Sequence, residues 1–428
     1  MNILGVILFS GFLYILGLCV FKVSYRYDRR TNFLTRVFSV TYWVKISVLL
    51  LLSRIIYANY ETTALVKSDI SKFAQVSQGL WEGSLSFRTL DIPGSGMYYL
   101  YLFFDSMLGL QIVFISVFLV LLSTFILIPI AKITYSLYGR REALICSWLV
   151  GFYPGFIALS IFPHRDVIVT LCSTFSVYLL YILYNKYRFK YIVYTSISFL
   201  LIFFFRPELL SLILLCFALF VSMNELRNIN TIYVVRSLLA SLSLLGIAYV
   251  VGAELLGLRS FYFLYPGYFQ NVVEQGIHIR RLGVENPTGF GEWIVYSGPL
   301  TRLTLGSAAF LIKPFPPYNT LIPFTTLSSF LTPGALILLA LYPFACIGVI
   351  QSVRDKSYNI LFVVLFILSI IIVASLIYAA GQIRYRLQII PFIMMLSSFG
   401  FFNYKKYVPL VLLYFFALMA SIIAYIVV

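Results

Sequence analysis

The sequence predicts an all-α, polytopic transmembrane helical bundle of about 12 spans, and three observations carry that expectation. First, the 428 residues are 61% hydrophobic and 11% charged, with a mean hydropathy of +0.96. A soluble chain of this length has a large polar exterior to clothe, and this composition leaves too little polar material for it. Second, apolar runs such as Ile360–Ala379 are long enough, as helices, to cross about 30 Å of hydrocarbon. Third, lysine and arginine gather in every second short connection between those runs. Inside lipid every backbone N–H and C=O needs a partner within the protein. Helices supply it locally, and the runs are too long and too evenly apolar for barrel strands.

Along the chain, the apolar runs place spans near 3–21, 39–57, 111–130, 144–162, 167–185, 192–205, 209–224, 237–256, 331–350, 360–379, 387–402 and 408–428. The segment Met1–Val20 lacks a basic leader and a small-residue cleavage site, so it reads as a retained span rather than a signal peptide. The five cysteines (Cys19, Cys146, Cys172, Cys216 and Cys346) all fall in expected spans, which points to buried thiols rather than disulfides or a thiolate metal site. No internal repeat or low-complexity tract breaks the pattern, and residues 1–428 are expected to form a single transmembrane domain.

Charge sets the expected orientation. One face carries Lys22, Arg26, Arg29, Arg30 and Arg36, then Lys132, Arg140 and Arg141, then Lys186, Arg188 and Lys190. Arg227 and Arg236, Arg354 and Lys356, and Lys405 and Lys406 complete the series. Basic residues in short loops stay cytoplasmic, so both termini are expected on the opposite face. The net charge of +16 is therefore a topology signal, not a sign of nucleic-acid binding. Two connections on the outer face are long, about 58–110 and 257–330. Both contain amphipathic stretches (65–80 and 291–311) suited to lying at the interface, and together they are expected to cap a site there.

Topology alone would leave that outer face poor in arginine. It instead holds Arg88, Arg165, Arg206, Arg280, Arg281, Arg302, Lys313, Arg384 and Arg386, several at the ends of spans. An ionisable group there costs free energy unless it reaches water or meets a partner. Taken singly, each can be assigned to a lipid headgroup or a nearby carboxylate. As a set they point to an anionic ligand at the membrane surface, because the guanidinium fork takes phosphate oxygens in pairs.

Outward carboxylates are few. Asp69 lies between Lys67 and Lys72 in the first long connection, where a merely solvated acid is the plain alternative. Asp166 opens a span after Pro163-His164-Arg165, where an acid can serve only the positive end of a helix dipole. Glu208 follows Arg206-Pro207, and a simple pair with Arg206 is its plain alternative. The two histidines, His164 and His278, cannot by themselves build a multi-histidine zinc site. There is no HExxH, phosphate loop or GxGxxG, which argues against cytoplasmic nucleotide chemistry. Nor do two inverted halves with glycine-broken helices appear, as in many secondary transporters. The middles of the spans look almost free of charge, which speaks against a lipid-oligosaccharide flippase.

Several segments resemble the GT-C superfamily of polyprenyl-phosphate-dependent membrane glycosyltransferases. They are Asp69 with Gln78-Gly79-Leu80, then Pro93-Gly94-Ser95-Gly96-Met97-Tyr98, and Tyr153-Pro154-Gly155 before Phe162-Pro163-His164-Arg165-Asp166. Phe205-Arg206-Pro207-Glu208 and Ile383-Arg384-Tyr385-Arg386-Leu387-Gln388-Ile389-Ile390-Pro391 follow in the same order. They are spread from Asp69 to Pro391, with the first span and its basic loop looking like an addition before the shared core. Ile70 follows Asp69 where the family has an acidic pair, so no cofactor is assigned and a divalent metal is left open.

The resemblance implies a sugar donor linked to undecaprenyl phosphate or diphosphate, used on the periplasmic face of a bacterial inner membrane to build cell-surface polysaccharide. A glycan or lipid would be the acceptor, membrane lipids the surroundings, and inversion the stereochemical course. Asp69 is the implied base and Asp166 the second catalytic acid, orienting the acceptor or holding the site. Arg384 and Arg386, supported by Arg206, are implied to meet the donor phosphate. Arg165, Glu208, Arg280, Arg281 and Lys313 complete the implied binding set. A Wzy-type polymerase that moves whole O-antigen or capsule repeat units shares these features. Arg280 and Gly291 match one of its loop patterns, a spacing that also arises easily by chance.

Overall fold

The computed structural model describes residues 3–25, 33–58, 76, 78–79, 82, 96–108, 112–161, 163–186, 188–225, 299–312, 327–355, 360–378 and 383–427. Among these residues all regular structure is helical. In order the helices are α1 (Ile3–Tyr25), α2 (Phe33–Ala58), α3 (Gly96–Tyr101), α4 (Ile112–Phe125), α5 (Leu127–Leu137), α6 (Arg140–Gly151) and α7 (Pro154–Ile161). Then follow α8 (Asp166–Asn185), α9 (Phe189–Phe205), α10 (Pro207–Glu225), α11 (Pro299–Ile312), α12 (Leu327–Arg354), α13 (Ile360–Tyr378), α14 (Ile390–Asn403) and α15 (Val408–Val427). A tight 3-10 turn, Ile383–Gln388, precedes α14.

Among the described residues, five segments are long and apolar enough to cross a membrane: Ile3–Val23, Phe33–Leu52, Val113–Leu137, Asp166–Asn185 and Pro333–Arg354. A sixth is the pair α6 and α7 if the two count as one span, bent by 42°. Phe189–Phe205, Leu212–Val221 and Ile360–Ser375 are shorter apolar helices. The expected spans overlay described helices except for 237–256, which lies outside the described residues. Prolines explain where the helices break. Pro129 removes an N–H and crowds the carbonyl four residues back, next to the α4–α5 break at Ile126. Pro154 disfavours helical backbone at Tyr153, and α6 gives way to α7 there.

Three features add to the sequence reading. The stretch 291–311 was expected to lie along the interface. Its described part, α11, packs one face on the bundle: Ser307 Oγ and Ser375 Oγ of α13 are 2.9 Å apart and Phe310 is buried, while Leu300 is 75% exposed. The 14-residue helix α14 is enclosed, with Ile390 through Ser398 all buried. Glycine allows that enclosure, since a Cβ on Gly400 would collide with the carbonyl of Phe344 in α12, so the two backbones touch directly. Finally, the middle of α2 is not charge-free. Lys45 is fully buried there and donates from Nζ to Ser123 Oγ of α4 at 2.9 Å.

Hydroxyl side chains inside the helices satisfy themselves locally. Thr41, Ser147, Thr170 and Ser397 each donate to the carbonyl four residues back, so these hydroxyls are paired within their own helices. At the basic end Tyr138 ties three helices together. Its ring stacks on Phe399 at 4.1 Å, and its hydroxyl lies 2.9 Å from Ser352 Oγ.

Candidate active site

The segments singled out in the sequence meet at the end of the bundle opposite the basic connections. Helix α7 ends at Ile161, whose carbonyl accepts from Ser116 Oγ at 2.8 Å. The chain then turns through Pro163, His164 and Arg165 and starts α8 at Asp166. The N-cap residue Arg165 makes no side-chain capping bond, while the Asp166 N–H points to His164 Nδ1 at 3.4 Å. Asp166 sits in the first turn, where the dipole favours it, but its carboxylate faces other partners. Oδ1 lies 3.1 Å from Arg206 Nη1, and Oδ2 lies 2.7 Å from His164 Nδ1.

Backbone geometry places Arg206. It closes α9 with φ −161° and ψ 79°, and Pro207 opens α10 directly after it. A residue before proline is pushed out of helical backbone, so the chain reverses here and Arg206 is held at the corner. The three side chains are sealed: relative exposure is 0% for Asp166, 2% for Arg206 and 7% for His164. Both carboxylate oxygens face cationic or protonated nitrogen, so the cluster joins the start of α8 to the α9–α10 corner. Glu208 lies in the first turn of α10, and its side chain is outside the described set. The ion pair that fixes Arg206 comes from a different hairpin, which sequence adjacency could not indicate. Arg165 is half-buried at the N-cap position of α8.

The other segments pack around this corner. A Cβ on Gly96 would lie 2.6 Å from the Phe205 ring, so the start of α3 lies flat against the residue before Arg206. Met97 and Tyr98 are buried there. The 383–388 turn packs on the α8 helix and the start of α14. Leu387 reaches Gly155, where an added Cβ would come within 3.3 Å of it.

A second cluster forms around Arg386. The sequence reading put this arginine at the outer mouth of a span. In the structure its side chain is fully buried. Nη1 donates to the carbonyl of Leu311 at 2.6 Å and approaches that of Phe310 at 3.3 Å. These carbonyls belong to the last turn of α11, which lacks intrahelical donors and carries the negative end of the dipole. Tyr342 Oη donates to the same Leu311 carbonyl at 2.8 Å. The phenols of Tyr153 and Tyr342 both lie close enough to interact with the guanidinium. Nε and Nη2 find no acceptor in hydrogen-bonding geometry among the described residues. Counting from the basic end at about 1.5 Å per residue, Tyr342 is about 18 Å along α12 and Asp166 about 28 Å along α8. The Arg386 cluster therefore sits deeper than the Asp166 cluster.

Asp69, Arg280, Arg281 and Lys313 lie outside the described residues, and Arg384 is described in its backbone alone. Among the described residues no three His, Cys, Asp or Glu side chains come together. His164, Tyr153 and Tyr342 were given no role from sequence. The one signal that could have raised His164 is its place two residues before Asp166 in a turn, close enough to reach the carboxylate.

No family model matches the chain, and no curated protein matches it. Among solved structures, the chain is similar to the archaeal oligosaccharyltransferase AglB from Archaeoglobus fulgidus, described in complex with an inhibitory peptide and a dolichol-phosphate. The identity is 13% and the TM-score 0.49, over 88% of this chain and 51% of that one, so the chain spans about half the length of that protein.

Proposed function

We propose that this protein is a membrane glycosyltransferase that takes a sugar from a polyprenyl-phosphate or polyprenyl-diphosphate carrier. One observation carries the reading. Segments scattered from Gly96 to Leu387 that resemble the GT-C pattern come together at one end of the bundle, around two buried arginines. A spanning protein that needed only to be stable has no reason to bury guanidinium groups there, since each costs desolvation. A transferase does, because a departing phosphate needs fixed cations and a dry setting.

In the reaction, the acceptor hydroxyl loses a proton to a carboxylate and attacks the anomeric carbon while the carrier phosphate leaves. Asp69 is the base in this reading, because Asp166 has both oxygens turned to Arg206 and His164 and is sealed from an acceptor. Arg384 and Arg386, with Arg165, Arg206, Arg280, Arg281 and Lys313, form the cationic surround. The site faces the periplasm of a bacterial inner membrane, with undecaprenyl carriers as donors and a glycan or lipid as acceptor.

The test is to incubate the purified protein in detergent with undecaprenyl-linked sugars and an acceptor glycan, and to weigh the products. A single added sugar supports simple transfer, and a ladder of repeats supports a polymerase of the same reaction class. Unchanged donor across monosaccharide and repeat-unit carriers overturns the reading. Sidedness is tested separately with a membrane-impermeant thiol reagent on intact cells. Cysteines at Ser71 and Thr288 should react from outside and one at Ser357 should not, and the reverse pattern moves the site to the cytoplasm.

A further inference from the structure

A cavity of about 800 Å³ lies within the carboxy-terminal helices, bounded by α11, α12, α13, α14 and α15. Its lining runs along α12 from Leu339 to Ile350, eleven positions or about 16 Å at 1.5 Å per residue. It is thus a slot parallel to the helices rather than a rounded pocket. Ile350 and Leu368, which line it, are 45% and 49% exposed, so it opens sideways on the surface that faces lipid.

The two phenols in the wall are already engaged. Tyr342 Oη donates to Leu311 O at 2.8 Å, and Tyr414 Oη donates to Leu339 O at 2.9 Å. A water or sugar would need two to four polar partners and finds a wall of aliphatic side chains instead. A hydrocarbon chain needs none. One end of the slot is formed by Leu311 and Tyr342, the two residues that also contact Arg386. That guanidinium is fully buried, has two nitrogens without an acceptor, and pairs with no carboxylate among the described residues. A buried cation compensated, among the described residues, only by carbonyl dipoles and phenols favours an anion at that end.

We propose that the slot holds the isoprenoid chain of an anionic carrier lipid, with its phosphate toward the Tyr342–Arg386 end. The identity of the lipid rests on the glycosyltransferase reading; the presence of an elongated, charge-headed lipid site does not. The chain lies along the membrane normal between α12 and α13, which fixes the carrier's depth and brings its head toward the end where the sequence segments converge.

The test uses the full-length protein in detergent with undecaprenyl phosphate bearing a diazirine in its isoprenoid chain. After illumination, adducts are expected on peptides covering 339–350 and 364–371. Excess undecaprenyl phosphate should reduce them about tenfold, a difference of about 1.4 kcal/mol. Undecaprenol, which has no phosphate, and dioleoylphosphatidylglycerol should displace them far less. Adducts on α1 or α2, which also expose apolar faces, overturn the proposal. Equal displacement by phosphatidylglycerol overturns it too, since the slot would then be an ordinary annular lipid site. Ala345→Leu and Ala417→Leu narrow the slot from two different helices. Each should lower labelling while leaving the elution profile unchanged, and full labelling of both folded variants counts against the slot. Labelling in the slot without sugar transfer from any donor sinks the glycosyltransferase reading alone. Transfer with labelling elsewhere sinks the slot alone.

Discussion

The two buried arginines of this protein are compensated differently. Arg206 faces a full opposite charge, Asp166, at 3.1 Å, and the same carboxylate holds His164 at 2.7 Å. Among the described residues Arg386 faces only partial charges, the end carbonyls of α11 and two phenols. In a setting of low dielectric that difference matters more than burial itself. The first cluster is electrically closed and has the properties of a clamp between two hairpins. Among the described residues the second keeps a net positive charge and two donor nitrogens without an acceptor in hydrogen-bonding geometry, so it retains capacity for an anion. Depth agrees with this division, since the clamp lies at the end of the bundle and the open cation about 10 Å farther in at 1.5 Å of helix rise per residue.

If both clusters are as described, neither offers an available base, and the largest expected effect belongs to a third place. Asp69→Asn keeps shape but cannot accept a proton at neutral pH. Turnover should fall about 10²–10⁴-fold with donor binding and expression unchanged. Near-normal turnover in well-folded Asp69→Asn would return the proton to the His164–Asp166 pair and break the division between clamp and chemistry.

The next effect is on stability and sharpens the clamp. Asp166→Asn takes the Asp166 charge away from buried Arg206, which should cost about 3–5 kcal/mol and lower the unfolding temperature in detergent. Arg206→Met should also destabilise, by leaving the buried Asp166 carboxylate with His164 in place of the Arg206–His164 pair. Combining the two removes both charges, and the double variant should recover much of the loss. Additive destabilisation of the pair, measured by thermal unfolding, would mean that each residue acts through other partners.

Arg386→Lys tests the open cation. An ammonium keeps the charge and can still reach one carbonyl, but it cannot reproduce a planar fork. A hydrogen bond to a charged group is worth about 1.5–3 kcal/mol, so donor affinity should weaken by about tenfold or more. Unchanged affinity for undecaprenyl phosphate in a binding assay would make Arg386 a helix cap and nothing else.

Much of the helical architecture was legible because hydropathy reports it directly. A run such as Ile360–Tyr378 has nowhere to go but into a helix among apolar neighbours. Proline-marked breaks at Ile126 and Tyr153 were visible in principle too, since the ring chemistry is local. Pairing across the bundle was not legible. Arg206 is next to Glu208 in sequence, yet its described counter-charge is Asp166 on α8. The amphipathic stretch ending near Leu311 looked interfacial because sequence cannot show that Arg386 waits inside the bundle for its final carbonyls. Lys45 was overlooked for a similar reason: only the packing of α2 on α4 reveals that its one described partner is Ser123. The convergence of the GT-C-like segments could be expected from the resemblance, but which atoms meet could not.

The smallest effect separates the two phenols that border the slot. Tyr342 and Tyr414 make similar bonds, 2.8 Å to Leu311 O and 2.9 Å to Leu339 O, but the acceptors differ. Leu339 lies in the middle of α12, but the residue four places on is Pro343, which has no N–H to give. Tyr414 supplies the missing donor, so Tyr414→Phe should cost about 0.5–1.5 kcal/mol with no second donor to buffer it. Leu311 lies in the last turn of α11, where the carbonyl has no intrahelical donor and depends on Arg386 and Tyr342. Tyr342→Phe should therefore cost about 0.5–1.5 kcal/mol, the ordinary worth of one hydrogen bond. Because two donors share that acceptor, loss of one is buffered by the other. Tyr342→Phe combined with Arg386→Lys should thus destabilise by more than the sum of the single changes. A strictly additive pair would show that the phenol and the guanidinium serve separate carbonyls, and the shared end of the slot would lose its physical basis.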